Sequence, residues 1–374
     1  MSCAFSVNGY RELARRHLPR MVFDYLEGGA DDEKCLQRNL DAFDALELLP
    51  RRLINVAQPS LSTEVLGVSQ PLPLIVAPMG LSGAFWPKGD LELARAAKKA
   101  GIPFILSTAS NASIEEVAEQ VGGDLWFQLY VVHPTLAEHL VKRALAAGYR
   151  TLVLTTDVAV NGKRERDLRS GFGLPFKYTP NVIIDGMLHP RWSLRLLTAG
   201  MPQLANFAST QAYDAELQAA LLSRQMDASF DWAGLKRLRD LWPHRLLVKG
   251  ILHPDDVKHC IELGADGVIL SNHGGRQLDS SCSPMAVLEQ IATAHPGKVL
   301  VDSGFRRGSD VVKALALGAS GVLIGRPLLY GLATAGTVGA ASVLDIFKDE
   351  ISRTLANMGC ACVRRLTPGY LIHT

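Results

Sequence analysis

The sequence has little that would indicate a metal site or a nucleic-acid partner. Its six cysteines lie at positions 3, 35, 260, 282, 360 and 362, without the pairs of closely spaced pairs that are typical of a zinc site. We therefore expect no metal, and cysteines scattered in this way favour a reducing, cytoplasmic compartment. The formal net charge is only +2, which argues against binding to nucleic acid.

Signals for export or for crossing a membrane are also scarce. Residues 1–10 lack the basic start and apolar block of a secretory signal peptide. Residues 327–344 carry no charge, and a run of this length is a candidate for a membrane span. The run begins with a proline, is rich in glycine, alanine and threonine, and follows a strand-like segment. It therefore predicts a buried loop and helix.

A regular alternation of short apolar runs and helical segments begins at Pro71. Each of the eight apolar runs is continuous rather than alternating, which is typical of strands buried on both faces of a parallel sheet. Eight such strands close a (β/α)8 TIM barrel of the α/β class. A doubly wound open sheet is the alternative, but no Gly-x-Gly-x-x-Gly motif follows an early strand. The predicted strands span residues 72–77, 103–107, 124–129, 151–156, 245–249, 267–270, 299–302 and 321–324.

The chain outside this alternation predicts two additions to a barrel of residues 71–374. Residues 1–70 form an N-terminal helical arm that covers the barrel, because residues 10–25 have helical spacing that ends at Gly28 and Gly29. Within the barrel, Asp90 and Ser309 are expected to cap helices that end at Gly101 and Gly318, and Pro254 is expected to open a helix.

A long insert follows the fourth strand, because no regular pattern is visible between residue 161 and about residue 230. Residues 162–207 contain seven basic and three acidic side chains, a local charge of 7 − 3 = +4. Aromatic and aliphatic side chains lie among these charges, a mixture that suits the headgroup region of an anionic membrane. A lid that buries these side chains against the barrel is the alternative. The insert is thus a candidate membrane-docking segment or lid.

The segment with the strongest chemical signal is 271–279, Ser-Asn-His-Gly-Gly-Arg-Gln-Leu-Asp, directly after the apolar run 268–270. His273 can take a proton near neutral pH. Arg276 can hold a planar anion with two parallel hydrogen bonds. Gly274 and Gly275 let the backbone approach a ligand closely. A base and a carboxylate anchor this close together predict an enzyme that acts on the carbon beside a carboxylate.

Polar side chains follow most of the predicted strands, and barrel enzymes keep their active residues at these carboxyl ends. The glycine-rich loops after the last two strands contain Arg306 and Arg326. Backbone N–H groups near Gly304 and Gly325, together with these arginines, can bind a phosphate. Ordinary turns with surface arginines are the alternative. A phosphate anchor beside an acid-binding base indicates a phosphorylated cofactor.

Segment 271–279 resembles the signature of the FMN-dependent α-hydroxy acid dehydrogenases and oxidases. The resemblance covers nearly the whole chain, from segment 24–30 to the helix after Arg326. Segments 86–90, 158–162, 189–194 and 200–207 are similar to those of membrane-associated members that oxidise mandelate. The resemblance implies an FMN cofactor, oxidation of (S)-mandelate or a related α-hydroxy acid to the α-keto acid, and a membrane quinone as electron acceptor. It also implies a homo-oligomer, a tetramer, on the cytoplasmic face of the inner membrane.

The resemblance further assigns roles to individual residues. His273 would take a proton from the α-carbon or the hydroxyl of the substrate, with Asp157 stabilising the imidazolium. Arg276 and Arg164 would bind the carboxylate, with hydrogen bonds from Tyr25 and Tyr130, and Tyr130 is also a catalytic candidate. The flavin would contact Lys249 at its N1–C2 edge and a set of strand-end residues. Those remaining cofactor candidates are Ala77, Pro78, Met79, Gly80, Ser107, Gln128, Thr155, Asp302, Ser303, Gly304, Arg306, Gly325 and Arg326.

Gly80 bears on the choice between acceptors. The resemblance places alanine at this position in the family's oxygen-using oxidases and glycine in its mandelate and lactate dehydrogenases. Two alternatives stay open. One is a soluble α-hydroxy acid oxidase, of lactate or hydroxymandelate type, that passes electrons to oxygen. The other is a non-catalytic barrel that binds a phosphorylated ligand.

Overall fold

The structure, a computed structural model, describes residues 4–172, 179–207 and 227–373. Its centre is a closed parallel barrel with the strand order β10-β11-β4-β5-β6-β7-β8-β9. The eight strands coincide with the eight predicted apolar runs, so the predicted (β/α)8 barrel is confirmed. The barrel strands are β4 (Leu74–Val76), β5 (Phe104–Ser107), β6 (Leu125–Leu129), β7 (Thr151–Thr155), β8 (Arg245–Ile251), β9 (Gly267–Leu270), β10 (Val299–Val301) and β11 (Gly321–Ile324).

The barrel interior is packed with one large apolar side chain from each strand, and the outward side chains are buried beneath helices. This double burial explains why the strands are continuously apolar. A hairpin of β2 (Thr63–Val65) and β3 (Val68–Gln70) closes the amino end, where Val65 joins the interior cluster. The interior layer consists of Ile75, Ile105, Trp126, Val153, Leu247, Ile269, Leu300 and Leu323.

Helices surround the barrel and extend it at both ends of the chain. Strand β1 (Leu46–Leu48), near the start, pairs with β12 (Leu371–His373) at the end. The described helices are α1 (Val7–His17), α2 (Arg20–Glu27), α3 (Lys34–Asp44), α4 (Gly89–Ala100), α5 (Ile114–Gln120), α6 (Pro134–Ala146), α7 (Glu165–Ser170), α8 (Pro180–Leu188), α9 (Pro190–Ala199), α10 (Trp232–Leu241), α11 (Pro254–Glu262), α12 (Met285–Ala294), α13 (Gly308–Ala316) and α14 (Arg326–Met358).

Two predicted helix caps are wrong, although the helices exist. Helix α4 begins at Gly89, and the carboxylate of Asp90 instead accepts a hydrogen bond of 2.7 Å from the backbone N–H of Asn111. Helix α13 begins at Gly308, and Asp310 rather than Ser309 accepts from the N–H of Arg307 at 2.8 Å. A carboxylate inside the first turn reaches back to the exposed N–H groups, which explains the second error.

The uncharged run at 327–344 belongs to α14, 33 residues in which two helical stretches meet at a kink, where Ala335 and Gly336 have non-helical angles. Among the described residues, α14 is the one helix whose length and composition would allow a membrane span. Yet 67% of its most apolar stretch is buried inside the fold, where it packs against α1 and α4. It is therefore a core element of the protein, buried as the sequence predicts, with a non-helical interruption at Ala335 and Gly336.

The described part of the insert is helical, contrary to the irregular structure that the sequence suggested. Helices α7, α8 and α9 and a short 3-10 turn at Ala205–Phe207 occupy it, and 173–178 lie outside the described residues. The hydroxyl of Thr179 caps α8, and prolines occupy the first turns of α8 and α9. These helix-start signals are short, and they are difficult to recognise among the basic residues of the insert.

Candidate active site

A cavity opens at the carboxyl ends of the barrel strands, covered on one side by α2. Every barrel strand contributes to its lining, because the carboxyl ends of parallel barrel strands meet at one face. One lining residue from each strand end or the loop after it is Ala77, Ser107, Tyr130, Thr155, Lys249, His273, Asp302 and Gly325.

His273 lies between a carboxylate and a phenol. Its Nδ1 is 2.8 Å from Oδ1 of Asp157, and its Nε2 is 3.3 Å from the hydroxyl of Tyr130. Since a carboxylate accepts hydrogen bonds, Nδ1 carries a proton and Nε2 is left as the basic nitrogen. The backbone of His273 is left-handed, with φ 59°, and Oγ of Ser271 accepts its N–H at 3.0 Å. A strained backbone held in this way is typical of functional sites.

The carboxyl group of Asp157 is held in its ionised form. Burial alone would raise its pKa, but His273 and Lys249 outweigh that effect and place the pKa below the ordinary value. Gly250 makes the close approach possible, because a Cβ there would lie 2.6 Å from Cβ of Asp157. The carboxylate can therefore stabilise a positive charge on His273.

Lys249 is a buried ammonium among carboxylates. Its Nζ donates to Oγ of Ser271 at 2.8 Å, and lies 3.3 Å from Oδ2 of Asp302 and 3.9 Å from Oδ2 of Asp157. Burial lowers the pKa of Lys249, but the two carboxylates raise it by more than burial lowers it. The pKa of Lys249 therefore lies above its usual value. Lys249 thus supplies a fixed positive charge in a water-poor part of the cavity.

Two arginines provide a second concentration of positive charge. Nη1 of Arg276 donates to the carbonyl oxygens of Tyr25 and Gly28 at 2.9 and 2.8 Å, and its guanidinium lies 4.9 Å from the Tyr25 ring centroid. Nε of Arg164 donates to Asp167 at 2.8 Å. Burial, and then Arg164, lower the pKa of Arg276 below its usual range, although it remains a cation at neutral pH. Within the described residues no carboxylate lies within ion-pair distance of Arg276, which therefore suits an incoming anion.

The loops after β10 and β11 form the other end of the cavity. Ser303 and Gly304 have consecutive left-handed backbones, with φ 77° and 90°. The guanidinium of Arg326 donates three hydrogen bonds of 2.9 Å, to the carbonyl oxygens of Leu26, Gly274 and Gly28. It thus fastens α2 to the signature loop and has two of its five N–H groups left for a ligand.

Nearly all site residues predicted from the sequence line this one cavity. Asp157 and Gln128 do not line it: Asp157 lies behind His273, and Gln128 is buried beneath two lining residues. The amide of Gln128 donates to Oγ1 of Thr155 at 3.0 Å and accepts from Oγ of Ser107 at 3.1 Å. The predicted residues that line the cavity are Tyr25, Ala77, Pro78, Met79, Gly80, Ser107, Tyr130, Thr155, Arg164, Lys249, His273, Arg276, Asp302, Ser303, Gly304, Arg306, Gly325 and Arg326.

The sequence did not reveal several apolar contributors to the cavity. Phe85, Leu204 and Phe207 line it, and the ring of Phe172 stacks on Tyr25 with centroids 4.1 Å apart. Ser271 was also missed as a functional residue, although it lies in the signature and contacts both Lys249 and His273. Leu204 and Phe207 lie in segment 200–207, which carries part of the family resemblance, but the resemblance assigned no site role to them, and only the folded structure brings them to the cavity.

The donor set of the cavity fits a flavin mononucleotide. A polar wall of Ser107 and Thr155, held from behind by Gln128, suits a heterocycle edge, and arginines suit a phosphate. At Gly325 a Cβ would point at Ala77 and Met79, 3.7 and 3.8 Å away, so the glycine keeps this lining open. The family model of FMN-dependent dehydrogenases matches residues 14–373. The chain belongs to this family: it is an FMN-dependent dehydrogenase.

Individual relatives and solved structures show which members of the family this chain is similar to. The chain is 61% identical over 367 residues to (S)-mandelate dehydrogenase of Pseudomonas putida, covering 98% of this chain and 93% of the relative. It is 40% identical to L-lactate dehydrogenase of Allorhizobium ampelinum, covering 98% of both. Among solved structures, it superposes on the monotopic membrane protein (S)-mandelate dehydrogenase with a TM-score of 0.96, 59% identity and complete coverage of both chains. A mandelate oxidase bound to (S)-2-phenylpropionate gives a TM-score of 0.82 at 35% identity, covering 98% of both chains.

Proposed function

We propose that this enzyme oxidises (S)-mandelate to benzoylformate. The observation that carries the proposal is that His273, backed by Asp157, and the buried guanidinium of Arg276 meet in one cavity. This is the arrangement required to bind a carboxylate and take a proton at the neighbouring carbon or its hydroxyl. The relative at 61% identity, described as an (S)-mandelate dehydrogenase, supports the choice of substrate over lactate.

In this proposal the substrate would lose two electrons and two protons: FMN, when bound, would take up both electrons and one proton, and His273 would take up the other proton. Arg276 and Arg164 bind the substrate carboxylate, and the hydroxyl groups of Tyr25 and Tyr130 orient it. Nε2 of His273 accepts a proton, because Nδ1 is already engaged with Asp157. The ionised Asp157 then stabilises the imidazolium. The closeness of Tyr130 to Nε2 supports a role for this phenol in positioning the reacting hydroxyl.

We propose that the remaining lining residues, together with Gln128 directly behind them, hold the cofactor. Ala77, Pro78, Met79 and Gly80, with Ser107, Gln128 and Thr155, would contact the ring system, and Lys249 would face the N1–C2 edge, where its charge stabilises the reduced form. Asp302 and Ser303 would bind the ribityl chain. Gly304, Arg306, Gly325 and Arg326 would bind the phosphate, a role for which the guanidinium of Arg326 retains two N–H groups.

The decisive test of the activity is anaerobic addition of substrate to the FMN-loaded enzyme. (S)-Mandelate should bleach the flavin absorbance and yield one benzoylformate per flavin, whereas (R)-mandelate, lactate and glycolate should react far more slowly. A protein that carries FMN but is not bleached by (S)-mandelate would refute the proposal. Stoichiometric peroxide in air-saturated assays would instead indicate an oxidase.

We further propose that α8 and α9 bind the cytoplasmic face of the inner membrane and that the electrons pass to a quinone there. No residue of either helix is buried, which is unusual for helices with this many apolar side chains. Basic residues such as Arg191 lie among them, as in helices that lie on anionic membranes. The relative described as a monotopic membrane protein supports the same conclusion. The exposed apolar residues are Ile183, Ile184, Met187, Leu188, Leu194 and Leu197.

The membrane proposal is tested by placing charges on this surface. The variant with Ile184→Glu, Leu188→Glu and Leu197→Glu should move from the membrane to the soluble fraction and keep its turnover with a soluble dye. A matched variant with Leu53→Glu and Val338→Glu, two exposed apolar residues elsewhere, should stay on the membrane. An intact protein that is soluble without detergent would contradict the proposal.

Two further parts of the proposal concern the chain's organisation. Residues 1–70 act as an arm over the barrel, which the hydrogen bonds from Arg276 and Arg326 to α2 and Gly28 support. The protein is a homotetramer, which the family resemblance supports. Light scattering of the detergent-solubilised protein measures the subunit number directly.

A further inference from the structure

The cavity is lined by both polar and apolar side chains, and part of the apolar lining comes from outside the strand-end loops that supply the polar groups. The polar groups that suit an acid, Tyr130, Arg164, His273 and Arg276, follow the barrel strands β6, β7 and β9. Much of the apolar lining comes from elsewhere, and Leu204 and Phe207 are supplied by the end of the insert. An α-hydroxy acid has the same division, with a carboxylate at one end and a variable substituent at the other.

Leu204 and Phe207 flank one fully buried side chain, Asn206, which ties this turn to the barrel. Oδ1 of Asn206 accepts from the N–H of Ile114 at 3.0 Å, and Nδ2 donates to Oγ of Ser110 at 3.0 Å. Its own carbonyl oxygen accepts from Nη1 of Arg143 at 2.9 Å. A buried amide with these partners fixes the turn in one position, because losing any of them would leave a buried polar group unpaired.

The same turn is joined to the loop after β5. The N–H of Ala205 donates to the carbonyl oxygen of Ser110 at 3.1 Å, and Nδ2 of Asn111 donates to that of Gln203 at 2.7 Å. This loop also carries Ala109, which touches Gly80 of the cavity lining: a Cβ on Gly80 would lie 3.2 Å from Cβ of Ala109. The turn is therefore attached to the cavity wall itself rather than to the outer surface of the barrel.

We infer that Leu204 and Phe207 form the pocket for the non-polar substituent of the substrate and so determine the preference for an aromatic over a small α-hydroxy acid. Asn206 is the positioning residue that holds them. The inference rests on the proposed function and deepens it. Because the arginines bind the carboxylate, the substituent points to the remaining, apolar lining, where a phenyl ring gains more from burial than a methyl group does.

The inference is tested with FMN-loaded Leu204→Ala and Phe207→Ala enzymes in detergent with a soluble dye. Each change should lower kcat/KM for (S)-mandelate by roughly 10- to 100-fold and change kcat/KM for lactate by less than about threefold, so that the ratio falls. Leu168→Ala is the matched control, because this leucine belongs to the same insert but is 69% exposed and does not line the cavity. An unchanged mandelate-to-lactate ratio in both cavity variants would overturn the inference.

A binding measurement separates this inference from the proposed activity. Phenylacetate and acetate are titrated into the oxidised holoenzyme and followed by the change in flavin absorbance, which requires no turnover. The cavity variants should weaken phenylacetate roughly 10-fold or more and leave acetate nearly unchanged. If the wild type binds phenylacetate tightly but does not oxidise mandelate, the proposed function fails and the pocket stands. If the variants bind both acids as the wild type does, the pocket fails.

Asn206 is tested by comparing Asn206→Ala with Asn206→Asp. The aspartate keeps the acceptor for the N–H of Ile114, so it should preserve part of the mandelate preference that the alanine loses. A purely structural role would lower the melting temperature without moving the mandelate-to-lactate ratio, and this result would contradict the positioning role.

Discussion

Nη1 of Arg276 donates a hydrogen bond of 2.8 Å to the carbonyl oxygen of Gly28, just past the end of α2. The proposed carboxylate-binding cation is thus also the group that satisfies the backbone where the arm crosses the cavity. Free carbonyl groups at a helix end need such donors. The proposed substrate binding and the position of α2 therefore depend on the same side chain.

We expect Arg276→Lys to damage both functions. A lysine cannot make two hydrogen bonds to backbone carbonyls and a planar contact with a carboxylate at once, so kcat/KM should fall on the order of 100-fold or more. Limited proteolysis should show faster cleavage near residues 28–34. Arg38→Lys is the control, because Arg38 also donates to a backbone carbonyl, that of Asp279, and does not line the cavity. Wild-type kinetics in Arg276→Lys would contradict the assignment.

Asp157→Asn should retain the fold and FMN but lower the rate of flavin reduction by about 10²- to 10⁴-fold, as when a histidine base loses its carboxylate partner. Stopped-flow reduction by (S)-mandelate measures this effect.

The pKa of Asp157 is lowered in the fold, so its contribution to stability is present above the unfolded pKa of about 4 and is lost as the pH falls below it. The Asp157→Asn variant should lack this acid-dependent part of the unfolding free energy. The exposed control, Asp255→Asn, should retain it.

Lys249→Met should leave Asp157 and Asp302 buried without their shared cation. Removing one partner of a buried ion pair costs about 3–5 kcal/mol, so both unfolding free energy and flavin reduction should fall. The double variant Lys249→Met, Asp302→Asn should recover much of the stability, since one of the two unpaired charges is gone, but not the reduction rate. Denaturant titration and stopped-flow measurements on the same proteins distinguish the two effects. Equal recovery of both would exclude an electrostatic role for Lys249 in reduction.

Asp90 is a buried carboxylate outside the proposed mechanism. Burial raises its pKa to about 6. The folded protein therefore favours the protonated form of Asp90. The stability that this protonated side chain contributes is fully present below the unfolded pKa of about 4 and is lost as the pH rises through about 6. Asp90→Asn, which can still accept from the N–H of Asn111, should raise the melting temperature more at pH 8 than at pH 5. Asp255→Asn should have no such effect, and an unchanged melting temperature at pH 8 would contradict the account.

The barrel and the polar half of the site were accessible from the sequence because each rests on a local pattern. A strand buried on both faces is a continuous apolar run, and His273 and Arg276 lie within one short signature. The caps at Asp90 and Ser309 were wrong because several acidic or hydroxyl side chains near a helix start compete for the same N–H groups. Which side chain accepts from these N–H groups depends on tertiary neighbours such as Asn111, which engages Asp90 instead.

The apolar half of the site could not be read from the sequence. Asn206 is a single amide in an irregular stretch, and its partners Ile114 and Arg143 are more than sixty residues away along the chain. Leu204 and Phe207 lie in segment 200–207, whose resemblance indicates the family but not that these two side chains reach the cavity. Likewise, no pattern shows that Arg326 holds three carbonyl groups of the arm and the signature loop, because each contact forms only when the barrel closes.

The break in α14 at Gly336 brings the indole of Trp86 close to the helix, since a Cβ on Gly336 would lie 2.9 Å from that ring. On the indole lies the guanidinium of Arg195 from α9, 3.7 Å from the ring centroid. Helix α9, which we propose to bind the membrane, thus contacts a natural fluorophore of the barrel. If α9 binds lipid vesicles as proposed, we expect the emission of Trp86 to change, and comparison with Trp86→Phe separates this change from the emission of the other four tryptophans.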